Sequence, residues 1–349
     1  PVRTFSIGFV EDAESNELDD ARLVARVLGT EHHELETSAA DHPELLDLAL
    51  AHLEEPIADL SCLGFLLLSR LAREHVTVAL AGQGADELLG GYRKHQVAAA
   101  AGALAGSPGI ARATLALAAR ALPAGSTAAR GLEAVTARSP AERMLAMSRI
   151  VQPHEREETF TPRLLQPDAE ATIAAAVEQH LDGRDLTTLA ETLYLDSRLA
   201  LVDNMLLYFD KMSMASSLEA RVPFMDHDVV AFCTALPDDR RVHRLRRKEL
   251  LRRASGGLVP DRIVTKKKRA FFHAALGTWL RTQGPSFFED ALLDDRTRAR
   301  GLYRESAVTE LVAAAGQDGK KASQRLFCLL LLELWQRHYV DADGPGRSR

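Results

Sequence analysis

The spacing of apolar and polar residues divides the first part of the chain into short strands and helices. Residues 2–9 (VRTFSIGF) alternate and are rich in β-branched and aromatic types, which predicts a strand. Apolar residues recur at helical spacing from Leu18 to Leu28, and Gly29 stands where a glycine commonly ends a helix. By the same criteria, a second strand and two more helices are predicted at residues 31–36, 45–53 and 63–72.

A continuous apolar run of strand length follows at residues 75–81 (HVTVALA). Such a run predicts a strand that is buried on both faces, as in a parallel sheet. Because helices separate the predicted strands, residues 1–92 have the pattern of part of a doubly wound α/β domain. We therefore predict an α/β fold that begins with a partial parallel sheet.

The pattern changes after Tyr92. Most segments from residue 93 to residue 340 have helical periodicity, with few strand-like runs. Residues 341–349 (DADGPGRSR) are polar and contain glycine, so we expect a disordered tail. The predicted organisation is a partial α/β domain at 1–92, a mainly helical region at 93–340 and a tail at 341–349.

Composition and charge narrow the possible partners. The chain has 349 residues, 46% hydrophobic and 26% charged, which is typical of a folded globular protein. Its net charge of -6 gives no drive toward nucleic acid, so a small-molecule partner is favoured. No apolar segment approaches the roughly 20 residues that span a bilayer, and no signal pattern begins the chain. We predict a cytoplasmic protein with neither a nucleic-acid nor a membrane partner.

The cysteines and the first residue add two expectations. Cys62, Cys233 and Cys328 are widely spaced among apolar residues, which suits neither a disulfide framework nor a zinc site. We expect three small buried side chains instead. The chain begins at Pro1, without an initiator methionine, in what resembles the interior of a strand, so we expect a fragment of a longer polypeptide.

The main candidate for chemistry is the segment Gly82-Gln-Gly-Ala-Asp-Glu87, directly after the third predicted strand. Ligands bind beyond the carboxyl ends of parallel strands, where a glycine turn brings backbone N–H groups close to a phosphate. Asp86 and Glu87 would repel that phosphate unless a cation intervenes, which suggests Mg²⁺ between the protein and a polyphosphate. The alternative is a glycine turn whose acidic residues begin a helix. The residues alone leave both interpretations open.

Two further charged segments have a structural and a functional interpretation. Between residues 203 and 226, charged residues such as Glu219 and Arg221 stand among apolar ones, which indicates either structural ion pairs or a site. The basic run Thr265–Phe272 (TKKKRAFF) is either a solvated face or a phosphate clamp.

Other segments have structural explanations. Val222-Pro223-Phe224 predicts a rigid extended turn, and Arg246–Arg253 predicts an amphipathic surface helix. Ser255–Pro260 predicts the end of a helix followed by a proline stop. His32 and His33 are neighbours in a predicted strand, so their side chains should point to opposite faces and make a poor metal pair.

Taken together, these segments resemble the synthetase domain of glutamine-dependent asparagine synthetases. The similarity runs in the family's order from the first residues to at least Leu280. The segments that carry it are Thr4–Phe9, Leu28–Glu34, Glu54–Pro56, Gly82–Tyr92, Met212–Ala215, Glu219–Phe224 and Lys268–Phe272.

The resemblance implies an adenine-nucleotide α-hydrolase-like fold and an AMP-forming ligase. In such enzymes, the side-chain carboxylate of aspartate attacks the α-phosphate of Mg-ATP, giving β-aspartyl-AMP and pyrophosphate, and ammonia then displaces AMP. The ammonia comes from glutamine, which an N-terminal domain hydrolyses. ATP and Mg²⁺ are the implied cofactors, aspartate and ammonia the other partners, and a homodimer the implied assembly.

The resemblance also implies roles at the nucleotide site. Ile7 would contact the adenine through its backbone, and Ala81, Gly82 and Gly84 would line the pocket. Asp86 would help to hold Mg²⁺ and pyrophosphate.

Two catalytic residues are implied, Lys268 and Gln83. Lys268 would neutralise the charge that develops on the transferred phosphate. Gln83 stands where some members have a glutamate implicated in forming the acyl-adenylate. Glu219 and Arg221 are interpreted mainly as scaffold.

The sequence departs from the family in two ways. The Ser-Gly-Gly-x-Asp-Ser pyrophosphate loop, expected shortly before Pro1, is absent, and so is the glutaminase domain. We therefore expect that this chain alone neither binds ATP tightly nor makes asparagine. Two alternatives stay open: a related synthetase that adenylates another carboxylate, as in β-lactam synthetases or peptide cyclases, and a non-catalytic remnant that acts as a binding module.

Overall fold

The first sheet is a parallel pair with a helical crossover. The computed structural model describes residues 1–10, 16–38, 44–59, 61–107, 109–123, 125–243, 246–266, 286–315 and 320–341. In it, β1 (Arg3–Phe9) pairs with β2 (Glu31–Thr37), with Arg3 opposite Glu31. The crossover helix α1 (Leu18–Leu28) ends at Gly29, whose φ of 66° lets its N–H donate to the carbonyl of Ala25. This is the βαβ unit that the sequence predicts.

The second sheet joins segments that are far apart in the sequence. β3 (Val78–Leu80) pairs in parallel with β4 (Glu219–Arg221), so that Val78 lies opposite Glu219. Among the described residues, the β1–β2 and β3–β4 pairs are separate sheets.

Helices make up most of the remaining described chain. α2 (Leu45–Leu53) and α3 (Ser61–Arg73) precede β3, and α4 (Ala85–Leu89) follows it. The next helices are α5 (Arg93–Ala105), α6 (Gly109–Arg120), α7 (Thr127–Thr136), α8 (Pro140–Ser148), α9 (Pro153–Thr159), α10 (Ala169–Leu181), α11 (Thr188–Leu195), a π-helix (Asp196–Leu206) and α12 (Leu207–Met214). After β4 come a 3₁₀ turn (Pro223–Met225), α13 (His227–Thr234), α14 (Asp238–Arg241), the antiparallel strands β5 (Val242–His243) and β6 (Arg246–Arg247), α15 (Glu249–Ala254), α16 (Asp261–Thr265), α17 (Asp295–Arg300), α18 (Glu305–Ala315), α19 (Lys320–Trp335) and a π-helix (Gln336–Val340), and residues 286–292 are helical as well.

The main core unites the two ends of the chain. Leu50 of α2 and Leu66 of α3 are buried with Met212 of α12 and with Leu326 and Leu330 of α19. Burying a side chain of this size stabilises the fold by about 1.5–3 kcal/mol. The first sheet and its helices therefore share one core with the carboxyl-terminal helices.

The strand predicted at residues 75–81 is shorter and less buried than the apolar run indicates. β3 covers only Val78–Leu80, and its two large side chains, Val78 and Leu80, are 48% and 75% exposed. The prediction of burial on both faces is wrong for this strand. Its β4 edge is paired, but the described residues leave a groove rather than a neighbouring strand beside the other edge.

Two other local predictions are wrong in part. The helix predicted at residues 246–253 is confirmed from Glu249, where α15 begins, but Arg246 and Arg247 form β6, and Lys248 has a left-handed φ of 52°. The segment from Val222 to Phe224 enters a 3₁₀ helix at Pro223 instead of staying extended. The predicted helix end is confirmed, since α15 stops at Ala254 and α16 begins directly after Pro260.

The burial of two of the three cysteines agrees with the expectation from the sequence. Cys62 and Cys233 are buried, as predicted, and Cys328 is half-buried; all three are free thiols. Burial raises the pKa of each thiol, that of Cys328 to about 11, so all three are protonated at neutral pH. Among the helices that the structure describes, none combines the length and the apolar composition that a membrane crossing requires.

Candidate functional site

The turn after β3 presents open backbone. Ala81 ends the strand with its N–H donating to the carbonyl of Arg221 at 2.8 Å. Gly82 is exposed, and a Cβ placed on it would meet no atom within 4 Å. Gly84 has a φ of 89° and packs directly under the sulfur of Met225, so that only glycine fits there. Gly84 thus fixes the shape of the turn while Gly82 leaves room for a ligand.

Asp86 lies beside a cation and a glycine. Its Oδ1 is 3.0 Å from Nζ of Lys248, a residue whose left-handed backbone directs it from the loop before α15. The Asp86 carboxylate rests against Gly91, where a Cβ would overlap it, and the Gly91 N–H donates to the Asp86 carbonyl at 2.8 Å. The second glycine pair of the motif therefore makes room for this carboxylate.

Glu87 has a different role from Asp86. Its side chain is only 1% exposed, and its Oε1 accepts a 2.7 Å hydrogen bond from the Tyr92 hydroxyl. Burial, followed by the charge of Glu87, raises the pKa of Tyr92 well above its usual value, so the phenol stays protonated and donates. Of the two adjacent acids, only Asp86 lies at the surface of the turn.

A buried polar network supports the helix that follows the motif. Nε2 of His95 and Nζ of Lys94 each lie 2.7 Å from a carboxylate oxygen of Asp196, the first residue of the π-helix. His95 and Asp196 are 0% and 5% exposed. Nδ1 of His95 accepts a 3.2 Å hydrogen bond from the Tyr92 N–H. Nε2 therefore carries the ring proton and donates a hydrogen bond to the Asp196 carboxylate.

The charge on Asp196 is stabilised by its two partners. Burial is the largest single influence and opposes ionisation, but the hydrogen bond from His95 and the charge of Lys94 outweigh it together. The pKa of Asp196 therefore lies below its usual value, and the group is ionised at neutral pH. This anchors α5, and with it Tyr92, to the π-helix.

The structure brings some of the predicted site residues together and leaves others apart. Ala81, Gly82, Gln83 and Gly84 lie in the turn between β3 and α4, and Asp86 lies in the first turn of α4. Ile7 lies on β1, in the other sheet, and belongs to the same buried core as the partly buried Ala81. Lys268 and the rest of the segment 267–285 lie outside the described residues.

The local sequence does not indicate the contacts of Lys248 and Asp196. The pattern of residues 246–253 predicts a surface helix for Lys248, and only its left-handed backbone and its distance to Asp86 show that it lies beside the turn. Asp196 stands in a helical stretch with no unusual local pattern. Lys94 and His95, which follow the glycine motif, do indicate that an acidic residue lies nearby. The sequence does not show which carboxylate they contact.

The charged cluster at residues 203–226 has a structural explanation. Arg221 and Glu219 form an ion pair on β4, and Lys211 contacts Glu54 at 2.7 Å. Asp226 accepts the N–H of Asp228 at 2.9 Å and caps α13. These contacts agree with the interpretation of Glu219 and Arg221 as scaffold.

The sequence profile of the asparagine synthase family matches residues 1–337. The match spans the three two-stranded sheets that the structure describes, the glycine turn and the helices that pack around them. This chain belongs to the asparagine synthase family. Its β1–β2 unit, its β3 turn and its helical region are therefore parts of one asparagine synthase domain.

Individual relatives agree with the family. Asparagine synthetase [glutamine-hydrolyzing] 1 of Bacillus subtilis is 27% identical over 341 residues, which is 96% of this chain and 52% of the relative. A putative asparagine synthetase [glutamine-hydrolyzing] of Mycobacterium tuberculosis is 28% identical over 343 residues, 97% of this chain and 51% of the relative. A putative asparagine synthetase [glutamine-hydrolyzing] of Methanocaldococcus jannaschii is 36% identical over a shorter stretch of 94 residues, which is 27% of this chain and 18% of the relative. The chain spans about half the length of the long relatives that it matches.

Proposed function

We propose that the protein to which this chain belongs makes asparagine from aspartate in an ATP-dependent, AMP-forming ligase reaction. Aspartate would be activated as β-aspartyl-AMP with release of pyrophosphate, and ammonia derived from glutamine would displace AMP. The observation that carries the proposal is the family match over residues 1–337, which includes the complete glycine turn after β3.

The fold type and the domain boundaries are part of the same proposal. We assign residues 1–92 to a partial nucleotide-binding domain of the adenine-nucleotide α-hydrolase type and residues 93–340 to the helical remainder. The two parallel sheets and the turn at the carboxyl end of β3 support this assignment, because open parallel sheets bind ligands at that end of their strands.

The nucleotide would lie on the turn from Ala81 to Gly84. Open space around Gly82 lets a phosphate or adenine group approach the backbone without meeting a side chain. Gly84 holds the turn in its left-handed conformation under Met225. Ile7 would add a backbone contact to the adenine, and Gln83 would act on the forming acyl-adenylate.

The residues at the turn fit a magnesium–polyphosphate complex. Mg²⁺ in such sites is held by one or two carboxylates together with substrate phosphates, and Asp86 supplies one partly exposed carboxylate. Mg²⁺, when bound, would neutralise charge on the phosphate oxygens. Lys248 holds Asp86 in place through their ion pair, and Lys268 would neutralise the charge that develops on the transferred phosphate.

The test uses the full-length protein with ATP, Mg²⁺ and ammonium as the nitrogen donor. Release of pyrophosphate and formation of asparagine are measured with aspartate and, separately, with larger amino-acid carboxylates. We expect both products with aspartate. Pyrophosphate release with a larger carboxylate but not with aspartate would identify a different acid-activating synthetase. Absence of release with every acid would favour a binding module and contradict the proposal.

A matched pair of variants links the activity to the turn. Asp86→Asn removes the proposed metal ligand without changing its shape, and we expect kcat for pyrophosphate release to fall about 100-fold. Glu158→Gln neutralises an exposed carboxylate on α9, away from the turn, and should leave kcat unchanged. Equal activity of both variants would exclude Asp86 from the reaction.

A further inference from the structure

The guanidinium of Arg252 on α15 contacts the segments that precede and follow its helix. Its Nε donates to the carbonyl of Arg247 at 3.2 Å, and its Nη2 donates to the carbonyl of Lys266 at 2.9 Å. Its Nη1 donates to the carbonyl of Val264 on α16. A planar guanidinium holds such acceptors in a fixed arrangement, because its N–H groups point in fixed directions. Arg252 therefore ties the loop before α15 to the end of α16.

The loop before α15 contacts the glycine motif. Lys248 forms the 3.0 Å ion pair with Asp86, and the guanidinium of Arg247 donates to the carbonyl of Gly91 at 3.3 Å. The left-handed backbone of Lys248 is a conformation that persists only where surrounding contacts hold it. Arg252 supplies two of these contacts, since it binds the carbonyl of Arg247 and its own N–H donates to the carbonyl of Lys248 at 2.9 Å. Arg252 thus helps to direct Lys248 toward the motif.

The end of α16 contacts the start of α1. The Nζ of Lys266 forms ion pairs with Glu17 and Asp20, and Arg262 on α16 also pairs with Asp20. The hydrogen bonds from Lys266 and then from Arg262 lower the pKa of Asp20, so this carboxyl is ionised at neutral pH. The segment that Arg252 holds is therefore fastened to α1.

The start of α1 lies against the carboxyl end of β1. A Cβ on Gly8 would lie 2.7 Å from a methyl carbon of Leu18, the first residue of α1, so a side chain at position 8 would displace the Leu18 side chain. Ile7, the proposed backbone contact of the adenine, directly precedes Gly8. Glu17 and Asp20 consequently lie at the same end of β1 as the proposed adenine contact.

One series of polar contacts therefore joins the carboxyl ends of β3 and β1. We call it the Arg252 bridge; it consists of Asp86, Lys248, Arg252, Lys266 and Asp20. An ATP molecule with its adenine at β1 and its phosphates at the turn after β3 would touch both ends of the bridge at once. A misplacement of about 1 Å between two such ends can lower the rate of a reaction about 100-fold.

We propose that Arg252 and Lys266 are positioning residues, and that the Arg252 bridge sets the distance between the adenine end and the phosphate end of the ATP site. The proposal rests on the proposed function, because that function places ATP at these two ends. Neither residue needs to touch the nucleotide. A molecule that occupies only one end, such as adenosine or pyrophosphate, does not depend on the distance between the ends, whereas ATP does.

Binding of ATP, adenosine and pyrophosphate to the full-length protein with Mg²⁺, measured by calorimetry, tests the proposal. Lys266→Gln removes the ion pairs to α1 but keeps the backbone carbonyl that Arg252 binds. We expect its Kd for ATP to rise about tenfold and its Kd for adenosine and for pyrophosphate to change less than about twofold. Arg252→Gln should raise the Kd for ATP to a similar extent.

Arg253→Gln is the matched control. Arg253 is the next residue of α15, its side chain is 62% exposed, and it pairs with Glu249 within the same helix. The substitution removes the same charge as Arg252→Gln but no contact of the bridge, so the affinities for all three molecules should stay within about twofold of those of the unmodified protein. An equal loss of ATP affinity in both variants would overturn the proposal, because charge alone would then explain it.

A double variant shows whether the two residues act in one bridge. A series of contacts that is broken once is already open, so Arg252→Gln combined with Lys266→Gln should bind ATP within about twofold of either single variant. Two independent structural losses would multiply instead, which would overturn the proposal. Arg252→Lys retains the charge but not the planar group of donors, so we expect it to bind ATP as weakly as Arg252→Gln.

The remaining outcomes are equally decisive. Retained adenosine and pyrophosphate binding shows that a variant is folded. Weakening of all three molecules together, unchanged ATP affinity in Lys266→Gln, or full recovery in Arg252→Lys would each overturn the bridge. These measurements need no turnover. A full-length protein that binds ATP but releases no pyrophosphate with any acid would contradict the proposed function, and the ATP affinities of the variants would still decide the role of the bridge.

Discussion

Gly82 and Gly91 belong to the same motif, but the absence of a side chain has a different consequence at each position. At Gly91 a Cβ would overlap the Asp86 carboxylate and crowd Lys248, so glycine is required by packing. At Gly82 a Cβ would enter open space, and the backbone needs no left-handed conformation. Among the described residues, no packing contact requires glycine at position 82, which agrees with the proposed approach of the nucleotide to this turn.

Alanine substitutions separate these two roles. Gly91→Ala should lower the free energy of unfolding by about 1–3 kcal/mol, the usual cost of overpacking, because Asp86 must move. Gly82→Ala should change it by less than about 0.5 kcal/mol yet raise the KM for ATP of the full-length protein about tenfold. Urea unfolding and steady-state kinetics measure the two effects. A Gly82→Ala protein with an unchanged KM would remove the nucleotide from this turn.

The two adjacent acids of the glycine motif, Asp86 and Glu87, have different surroundings. Asp86 and Glu87 are adjacent carboxylates, yet one lies at the turn beside Lys248 and the other is buried under Tyr92. The sequence predicts acidic residues at the start of a helix and a candidate metal ligand, and the structure has room for both. Sequence alone does not assign these roles, because the direction of each side chain depends on α4 and its neighbours.

At the scale of elements, the junction of α11 and the π-helix holds α5 in place. The π-helix begins at Asp196, whose carboxylate receives Lys94 and His95 from the first turn of α5. Breaking a buried ion pair by removing one partner costs about 3–5 kcal/mol. This contact therefore determines how firmly the segment after the glycine motif is positioned.

The Asp196 contact should make stability depend on acid pH. Its pKa is lowered in the folded state from an unfolded value of about 3.9, so its contribution is fully present above about pH 5. The contribution disappears as the pH falls through 3.9 toward the folded pKa. Asp196→Asn should therefore lower the free energy of unfolding by about 3 kcal/mol at pH 7 and much less below pH 3.

Urea unfolding of both proteins at several pH values tests this expectation. Asp203→Asn, at an exposed position of the same π-helix, is the matched control and should cost less than about 0.5 kcal/mol throughout. If the loss in Asp196→Asn is constant from pH 7 to pH 3, the ion pair does not provide the stability.

At the scale of the whole molecule, the glycine turn lies within a chain whose match to the asparagine synthase family spans residues 1–337. The turn follows β3 directly and is next to the Asp86–Lys248 ion pair. We propose that the nucleotide binds at this turn, because open α/β sheets bind ligands beyond the carboxyl ends of their strands.

We propose that residues 1–349 alone release no pyrophosphate from ATP in the presence of aspartate, Mg²⁺ and ammonium. The reason is that the Ser-Gly-Gly-x-Asp-Ser pyrophosphate motif of the family that the sequence resembles does not occur within residues 1–349. The isolated chain should nevertheless unfold cooperatively in urea. Coupled pyrophosphate assays on the isolated chain and on the full-length protein, at equal concentration, check the difference. Aspartate-dependent release by residues 1–349 would contradict this prediction.

The local pattern by itself determined the first elements and the location of the glycine turn. α1 and α2 begin and end where apolar spacing places them, because that spacing and Gly29 act within a single helix. The motif after β3 was recognisable since its glycines and acids are contiguous. The family was recognisable for the same reason, as its motifs occur in order along the chain.

Only the tertiary structure decided the partners of these elements. It paired β3 with β4, brought Lys248 to Asp86 and buried Asp196 against His95, all between segments far apart in sequence. It also left Val78 and Leu80 exposed where their apolar run predicts burial. The apolar spacing predicts that the side chains of a strand are buried. Which elements bury them depends on long-range packing, which no local pattern encodes.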